Sequence, residues 1–574
     1  MMINLKINSI DVSVPENTTI LEAAKAYNIS IPTLCFYPDL RIKSDCRICS
    51  VEIVGQKGLS TACSTIVKEG MHVKTHTPKV INARKIITEL LLANHDADCT
   101  ACDKNMNCEL QRLANVLGIS ENRFQRVFEV KPIDNHNPAL IRNPNRCIKC
   151  GRCVDVCRNV QGVNVLEALN RGHDILISPP YGKYLSDEYC TFCGQCSSVC
   201  PVGAIIEKDE TSIVWNALHD PNKHVIVQVA PAVRVSLGEE LQQKPGTILT
   251  KKMVTALKLL GFAKVFDTDF TADLTIIEEG NELIQRISNK GVLPMITSCC
   301  PGWINLAETY YPDILPHIST CKSPQQMFGA LAKSYYAEKE KINPSSIFTV
   351  SIMPCTAKKY EVKRPEMQSK DHQQDVDVVL TTRELGKMLK HMGIEYDALE
   401  ETDFDNPFGI STGAAAIFGA SGGVMEAALR TVYEVVNKKE LKAIDFTDLR
   451  GTEGIKETSV NLGGQEVRVA VANTLANAKI LAEQVLHNES PYQFIEIMCC
   501  PSGCIGGGGQ PYGTISKTRE IRLDSTYRVD SNMSIRKSHE NPAIIQIYQD
   551  YLEHPLSHKS HELLHTKYHA RPSH

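Results

Sequence analysis

Apolar and polar residues alternate through residues 2–14 (Ile3, Leu5, Ile7, Ile10, Val12, Val14), a period that predicts a β-hairpin. A helix over 19–27 is expected next, with Asn17 or Thr18 near its cap. Residues 79–92 space their apolar positions as an amphipathic helix does. Beyond about residue 210, short β-branched runs alternate with helical ones, the pattern of an α/β domain. Strands are predicted at 224–229, 264–266, 292–297, 347–353, 377–381, 467–471 and 494–497. Helices are predicted at 251–260, 272–288 and 323–339, with others after residue 381 and ending near residue 485.

A chain of 574 residues is too long for one core, so roughly three to five domains are expected. Composition is that of a globular protein, 43% apolar and 22% charged. A formal charge of −4 gives no reason to expect nucleic acid or an anionic membrane as partner. The N-terminus has no apolar leader segment and no stretch approaches a membrane span, which points to a cytoplasmic protein. In that reducing compartment 22 cysteines are not a disulfide scaffold, and metal is the default explanation.

The spacings divide the cysteines into groups. Cys35, Cys46, Cys49 and Cys63 are separated by ten, two and thirteen residues. The C-x2-C core is that of a plant-type 2Fe–2S ferredoxin, although the first gap is longer than four. A zinc site is the alternative. His95, Cys99, Cys102 and Cys108 supply one imidazole and three thiolates, which suit zinc or an iron–sulfur cluster equally. Cys147, Cys150, Cys153 and Cys157, then Cys190, Cys193, Cys196 and Cys200, repeat C-x2-C-x2-C-x3-C, and the second copy ends in Cys-Pro. That is the two-cluster bacterial ferredoxin run, in which the fourth cysteine of each copy serves the other cluster. Cys157 is therefore assigned to the second triplet and Cys200 to the first. Arg158 stands where the first copy would carry proline.

Residues 498–511 hold Cys499, Cys500 and Cys504 followed by four glycines, which let backbone approach whatever those sulfurs hold. Cys300, Cys355 and Cys500 each lie just past a predicted strand, where open α/β sheets bind ligands. With Cys504 they make four sulfurs for one buried cubane. A zinc loop is disfavoured because no second C-x2–4-C pair lies nearby. These groups use 19 of the 22 cysteines. Cys321 and Cys499 are read as small buried residues. Cys299, beside Cys300, suits a proton donor, with a steric role as the alternative.

Thr297-Ser298-Cys299-Cys300-Pro301-Gly302-Trp303, Met353-Pro354-Cys355-Thr356-Ala357-Lys358-Lys359-Tyr360-Glu361 and Met498 through Pro511 resemble the three signature motifs of iron-only (FeFe) hydrogenases. The resemblance covers essentially the whole chain and matches the long clostridial-type form. It implies a multidomain α+β and α/β protein: a β-grasp 2Fe–2S domain at 1–78 and a 4Fe–4S domain with one histidine ligand at 79–126. A ferredoxin-like domain with two 4Fe–4S clusters at 127–209 and a two-lobed α/β catalytic domain at 210–574 complete it. The cofactor implied is the H-cluster, a 4Fe–4S cubane on Cys300, Cys355, Cys500 and Cys504. Cys504 bridges to a di-iron unit carrying CO, cyanide and azadithiolate. Lys358 matches the donor to a cyanide, and Pro231, Ala232, Ser323, Pro324, Gln325, Met353, Phe418 and Met498 match the pocket wall. Ala232 departs from a serine, Cys499 from an alanine and Ser502 from a glycine.

The reaction implied is reversible reduction of protons to dihydrogen. Its proton relay would be Cys299, Glu279, Ser319 and Glu282, ending near Arg286, with both glutamates on one face of a helix. Ferredoxin or flavodoxin is the implied electron carrier, maturation proteins the source of the di-iron unit, and a monomer the expected state. No NAD or flavin motif is present. Rival readings are an electron-transfer subunit related to complex I, an iron–sulfur assembly scaffold and a sensory hydrogenase. The three motifs argue against the first. The relay residues argue against the second, and the lack of a signalling segment against the third. Residues 419–423 are expected to pack beneath the cluster. The histidines of the tail, His554, His558, His561, His565, His569 and His574, are read as belonging to a solvated terminus, with adventitious metal binding as the alternative.

Overall fold

The computed structural model describes residues 1–125, 129–369 and 371–571; the expected boundary at 126/127 and His574 lie outside them. The hairpin forms from Met2–Ile7 and Ile10–Pro15, joined through Asn8 and Ser9, both at positive φ. It belongs to a five-stranded sheet that also contains Ser50–Ile53, Leu59–Thr61 and His72–Lys74. The helix Ile20–Ala26 is capped by Thr19, not by Asn17 or Thr18. Thr19 and Glu22 form a reciprocal capping box, and Asn17 sits in the turn before it at φ 68°. Pro78–Ala93 is the next helix, with Thr77 as cap. Leu140–Arg142 pairs antiparallel with Ile205–Glu207, clasping the two ends of the cysteine repeat together.

The remainder holds two four-stranded sheets. Lys264–Asp267, His224–Val229, Ile347–Met353 and Val378–Thr381 lie side by side, all parallel and almost wholly buried. This burial is why each reads as an unbroken apolar run. The second sheet has the order Met295–Ile296, Phe494–Met498, Gln465–Asn473, Ile455–Leu462, with only the last pair antiparallel. The strand expected over 292–297 shrinks to two residues, because Pro294 has no N–H for the ladder. Ile455–Leu462 was not expected, since its exposed positions are polar and only Val460 and Leu462 mark its inner face near the end.

Helix Thr268–Ser288 begins four residues before the expected 272, with Asp267 as cap. Thr268, Asp269, Thr271 and Asp273 are buried polar residues that conceal its apolar period. The C-terminal tail is docked rather than free: His565 is buried, while His554, His558, His561 and His569 are exposed as expected. Lys322 N–H bonds Leu564 O at 2.7 Å and Thr566 N–H bonds Thr320 O at 2.8 Å, so the tail pairs with 320–322. Leu564 is fully buried in the cluster that holds Cys321 and Phe328. Among the described residues no helix is long and apolar enough to cross a membrane.

Candidate active site and metal centres

The three motif loops leave strands of both sheets and meet in one cavity of about 90 Å³. Cys300, Cys355, Cys500 and Cys504 all open onto it, together with Cys299 and Lys358. Pro231, Ala232, Pro324, Gln325, Met353, Phe418 and Met498 form its otherwise apolar wall. Ser323 stands one step behind the wall. Close backbone packing builds the floor: a Cβ on Gly507 would lie 2.1 Å from Pro354 O, and one on Gly508 2.1 Å from Cys193 O. Four sulfurs converging on an apolar cavity beside a single ammonium fit an iron–sulfur unit that also carries anionic ligands.

Lys358 Nζ lies 3.0 and 2.8 Å from the two carboxylate oxygens of Glu361 and 3.2 Å from Cys299 O. Burial alone would push its pKa down, but Glu361 outweighs it and holds the ammonium charged. The same carboxylate accepts from Ser323 Oγ at 2.9 Å and Gln325 Nε2 at 3.0 Å. Glu361 thus gathers three of the expected site residues.

The expected relay lies behind Cys299. Burial, with the charge of Glu279 adding to it, raises the Cys299 thiol well above its ordinary pKa and keeps it protonated. Glu279 is buried; desolvation first, then the charge of Glu282, pushes its carboxyl up to about 8. Its Oε1 has no hydrogen-bond partner among the described residues, which suits a neutral acid. Ser319 Oγ donates to Glu282 Oε2 at 3.0 Å, and its hydroxyl works to lower the Glu279 pKa against those two stronger causes. Arg286 then pairs with Glu282 Oε1 at 2.6 Å.

The accessory cysteines group as follows. Cys147, Cys150, Cys153 and Cys200 line one small cavity, and Cys157, Cys190, Cys193 and Cys196 another, so the fourth cysteine of each copy does cross over. Cys49 and Cys63 sulfurs lie 3.3 Å apart, and Cys35 and Cys46 are within hydrogen-bond range of each other. His95 is buried just past the end of Pro78–Ala93, and Cys99, Cys102 and Cys108 follow in a loop.

Contacts join both N-terminal groups to the repeat: Lys43 Nζ bonds Gly151 O at 2.6 Å, and Glu109 N–H bonds Pro201 O at 2.9 Å. Cys193 itself lines the cavity of the motif loops.

Residue-level reading missed Glu361, which lay inside a quoted motif without a role, and underrated Cys499. Cys499 N–H donates to Cys300 Sγ at 3.3 Å, and its own sulfur lies 3.6 Å from Gln161 Oε1 and within reach of Cys193. It stands between the cavity of the motif loops and the second ferredoxin-type site. The partners of Cys499 are distant in sequence, whereas Glu361 has Lys358 three residues away and Ser323 and Gln325 far from it.

Residues 223–508 match the iron only hydrogenase large subunit, C-terminal domain, and 516–571 the iron hydrogenase small subunit. The chain is 47% identical to the NADP-reducing hydrogenase subunit HndD of Solidesulfovibrio fructosivorans, over 99% of both chains. This chain belongs to the iron-only hydrogenase family. It is also 41% identical to iron hydrogenase 1 of Clostridium pasteurianum, over 98% of this chain and 99% of that one. A solved structure of a variant of FeFe-hydrogenase HydA1 from Chlamydomonas reinhardtii superposes with a TM-score of 0.58 at 43% identity, covering 63% of this chain and 99% of that one.

The N-terminal part of this hydrogenase matches three iron–sulfur families. They are the 2Fe-2S iron-sulfur cluster binding domain at 1–78, the NADH-ubiquinone oxidoreductase-G iron-sulfur binding region at 84–123 and the NADH-quinone oxidoreductase subunit 3 ferredoxin-like domain at 137–206. Complex I-type modules therefore precede a hydrogenase core. The two core matches meet between 508 and 516, inside the single span 210–574 drawn from sequence.

Proposed function

We propose that the chain reduces protons to dihydrogen, reversibly, with electrons from reduced ferredoxin or flavodoxin. One observation carries this reading: Cys300, Cys355, Cys500 and Cys504, from three distant loops, share one cavity with Cys299 and Lys358. Those four thiolates would hold the cubane of the H-cluster, with Cys504 as the bridge. When bound, the H-cluster supplies the iron at which protons and electrons combine.

The chain's own residues supply position and protons. Lys358, kept charged by Glu361, would orient a cyanide, an attraction strengthened by the dry cavity. Pro231, Ala232, Pro324, Gln325, Met353, Phe418 and Met498 would exclude water from the di-iron unit, with Ser323 bracing Glu361. The Cys299 thiol would give its proton to the site and be reprotonated from Glu279. Ser319 would pass the replacement proton on from Glu282 without moving a heavy atom.

Cys35, Cys46, Cys49 and Cys63 would hold a 2Fe–2S cluster, and His95, Cys99, Cys102 and Cys108, like each site of the repeat, a 4Fe–4S cluster; such groups supply electron transfer when bound. The expected domains, β-grasp 1–78, 79–126, ferredoxin-like 127–209 and two-lobed 210–574, follow these functions. A monomer suffices, because one chain contains every proposed ligand. A cytoplasmic location rests on the number of free thiolates that need a reducing compartment.

The test is the chain produced anaerobically with maturation proteins. Infrared bands of metal-bound CO and cyanide, with H2 evolution from reduced ferredoxin, are expected. A protein that takes up iron but shows neither band is a carrier or scaffold, and the hydrogenase reading falls.

A further inference from the structure

Gln161 lies behind the cysteine repeat, and only one end of its amide is paired. The side chain is 1% exposed and lines the cavity of Cys157, Cys190, Cys193 and Cys196. Its Oε1 accepts from Leu475 N–H at 3.4 Å and from the Cys499 thiol at 3.6 Å, partners 314 and 338 residues away in the chain. A backbone N–H can only donate, so the end of the amide that meets Leu475 is the oxygen and the other end is the nitrogen. Nε2 has no hydrogen-bond partner among the described residues.

A buried N–H without an acceptor is costly, and such groups mark places where something else supplies the bond. The aliphatic side chains of the cavity wall, Val156, Val163, Val165, Leu166 and Leu185, cannot accept it. The other amide of the wall is already engaged, with Gln195 Nε2 donating to Gly506 O at 2.9 Å. An iron–sulfur cluster on the four thiolates would bring sulfur acceptors that carry negative charge, which suits a neutral donor in a dry cavity.

We infer that Gln161 tunes the second repeat site: its Nε2–H donates to a sulfur of the 4Fe–4S cluster on Cys157, Cys190, Cys193 and Cys196 and raises the reduction potential of that cluster. This rests on the reading of those four cysteines as a 4Fe–4S site. Reduction adds one electron and makes or breaks no bond. The extra negative charge strengthens a hydrogen bond to sulfur, so the donor favours the reduced state over the oxidised one.

The orientation of the amide decides the sign. Turned the other way, it would aim its oxygen at the sulfurs and disfavour reduction. Leu475 N–H and the Cys499 thiol, both on Oε1, prevent that turn. Cys499 thus has a task that an alanine could not perform, since alanine would leave Leu475 alone to hold the amide. The site concerned adjoins the catalytic one, because Cys193 lines the cavity of its own cluster and that of the motif loops. Its potential sets how readily an electron rests beside the H-cluster.

The test is a redox titration of the matured full chain, followed by electron paramagnetic resonance. Gln161→Leu removes the amide at near its volume. It should weaken one-electron reduction of this cluster on the order of tenfold, a fall of about 59 mV. The cluster of Cys147, Cys150, Cys153 and Cys200 should keep its potential, and iron content should match the wild type. In the wild type, pulsed measurements on the reduced cluster should show coupling to the side-chain nitrogen of amide-labelled glutamine, and Gln161→Leu should abolish it.

Should Gln161→Leu fail to take up iron, Gln161→Met, which keeps the reach and lacks the N–H, is titrated in its place. An unchanged potential, or no amide coupling in the wild type, would overturn the inference and leave the site standing. A wild-type spectrum that Cys196→Ser does not alter would remove the reading of the site itself.

Discussion

Lys358 Nζ and Glu361 Oε2 lie 2.8 Å apart on one turn of helix, both shut away from solvent. Removing one partner of such a pair leaves a buried charge and costs about 3–5 kcal/mol. Lys358→Met is therefore expected to lower thermal stability as well as activity. Lys358→Met combined with Glu361→Gln should recover the stability but not the CO and cyanide bands. A double variant with normal bands and turnover would restrict Lys358 to a structural role.

Cys299→Ser is expected to slow H2 evolution by roughly 10²–10⁴-fold, the range for loss of a positioned acid, with iron content unchanged. Turnover at the wild-type rate would reject Cys299 as the donor.

Glu279 carries its proton up to about pH 8 in the fold, against an ordinary 4.5. Between those values the folded chain binds a proton that the unfolded chain has released, so this group lowers stability as pH rises from 4.5 to 8. Below 4.5 and above 8 its contribution is flat. Glu279→Gln should remove that decline, read by chemical denaturation of the cluster-loaded chain across the same range. An infrared carbonyl band of a buried carboxylic acid should titrate near pH 8 and vanish in the variant. Titration near 4.5 would contradict the assignment.

Cys200 shares its cavity with Cys147, Cys150 and Cys153 rather than with its own triplet. Cys200→Ser should alter the electron paramagnetic resonance signal of that cluster and spare the one held by Cys157, Cys190, Cys193 and Cys196. An effect on the second signal alone would reverse the pairing.

Repeated spacing made the two ferredoxin-type sites legible in sequence, because ligands two and three residues apart must face one object. The parallel strands were legible for a similar reason: full burial leaves a continuous apolar run, as in 224–229 and 347–353. Ile455–Leu462 was not, since an edge strand with one wet face lacks that mark. Cys499 and His565 stayed hidden because their partners lie in other parts of the fold, and Glu361 because its bonds to Ser323 and Gln325 add to a local pair with Lys358. A carboxylate, a thiol and an imidazole acquire roles only when folding chooses their neighbours. His565 illustrates this most clearly: its partners Thr320 and Glu278 lie 245 and 287 residues away.

Gly508 and Cys193 meet with no room for a single methyl group between them. Gln195 Nε2 to Gly506 O at 2.9 Å and Thr356 Oγ1 to Phe192 O at 2.7 Å clamp the same seam. Electron tunnelling weakens steeply with separation, so, on the proposed reading, a seam this tight would hold the last jump at a fixed gap. Current into the catalytic pocket would then be controlled by chemical potential, not by a swinging domain.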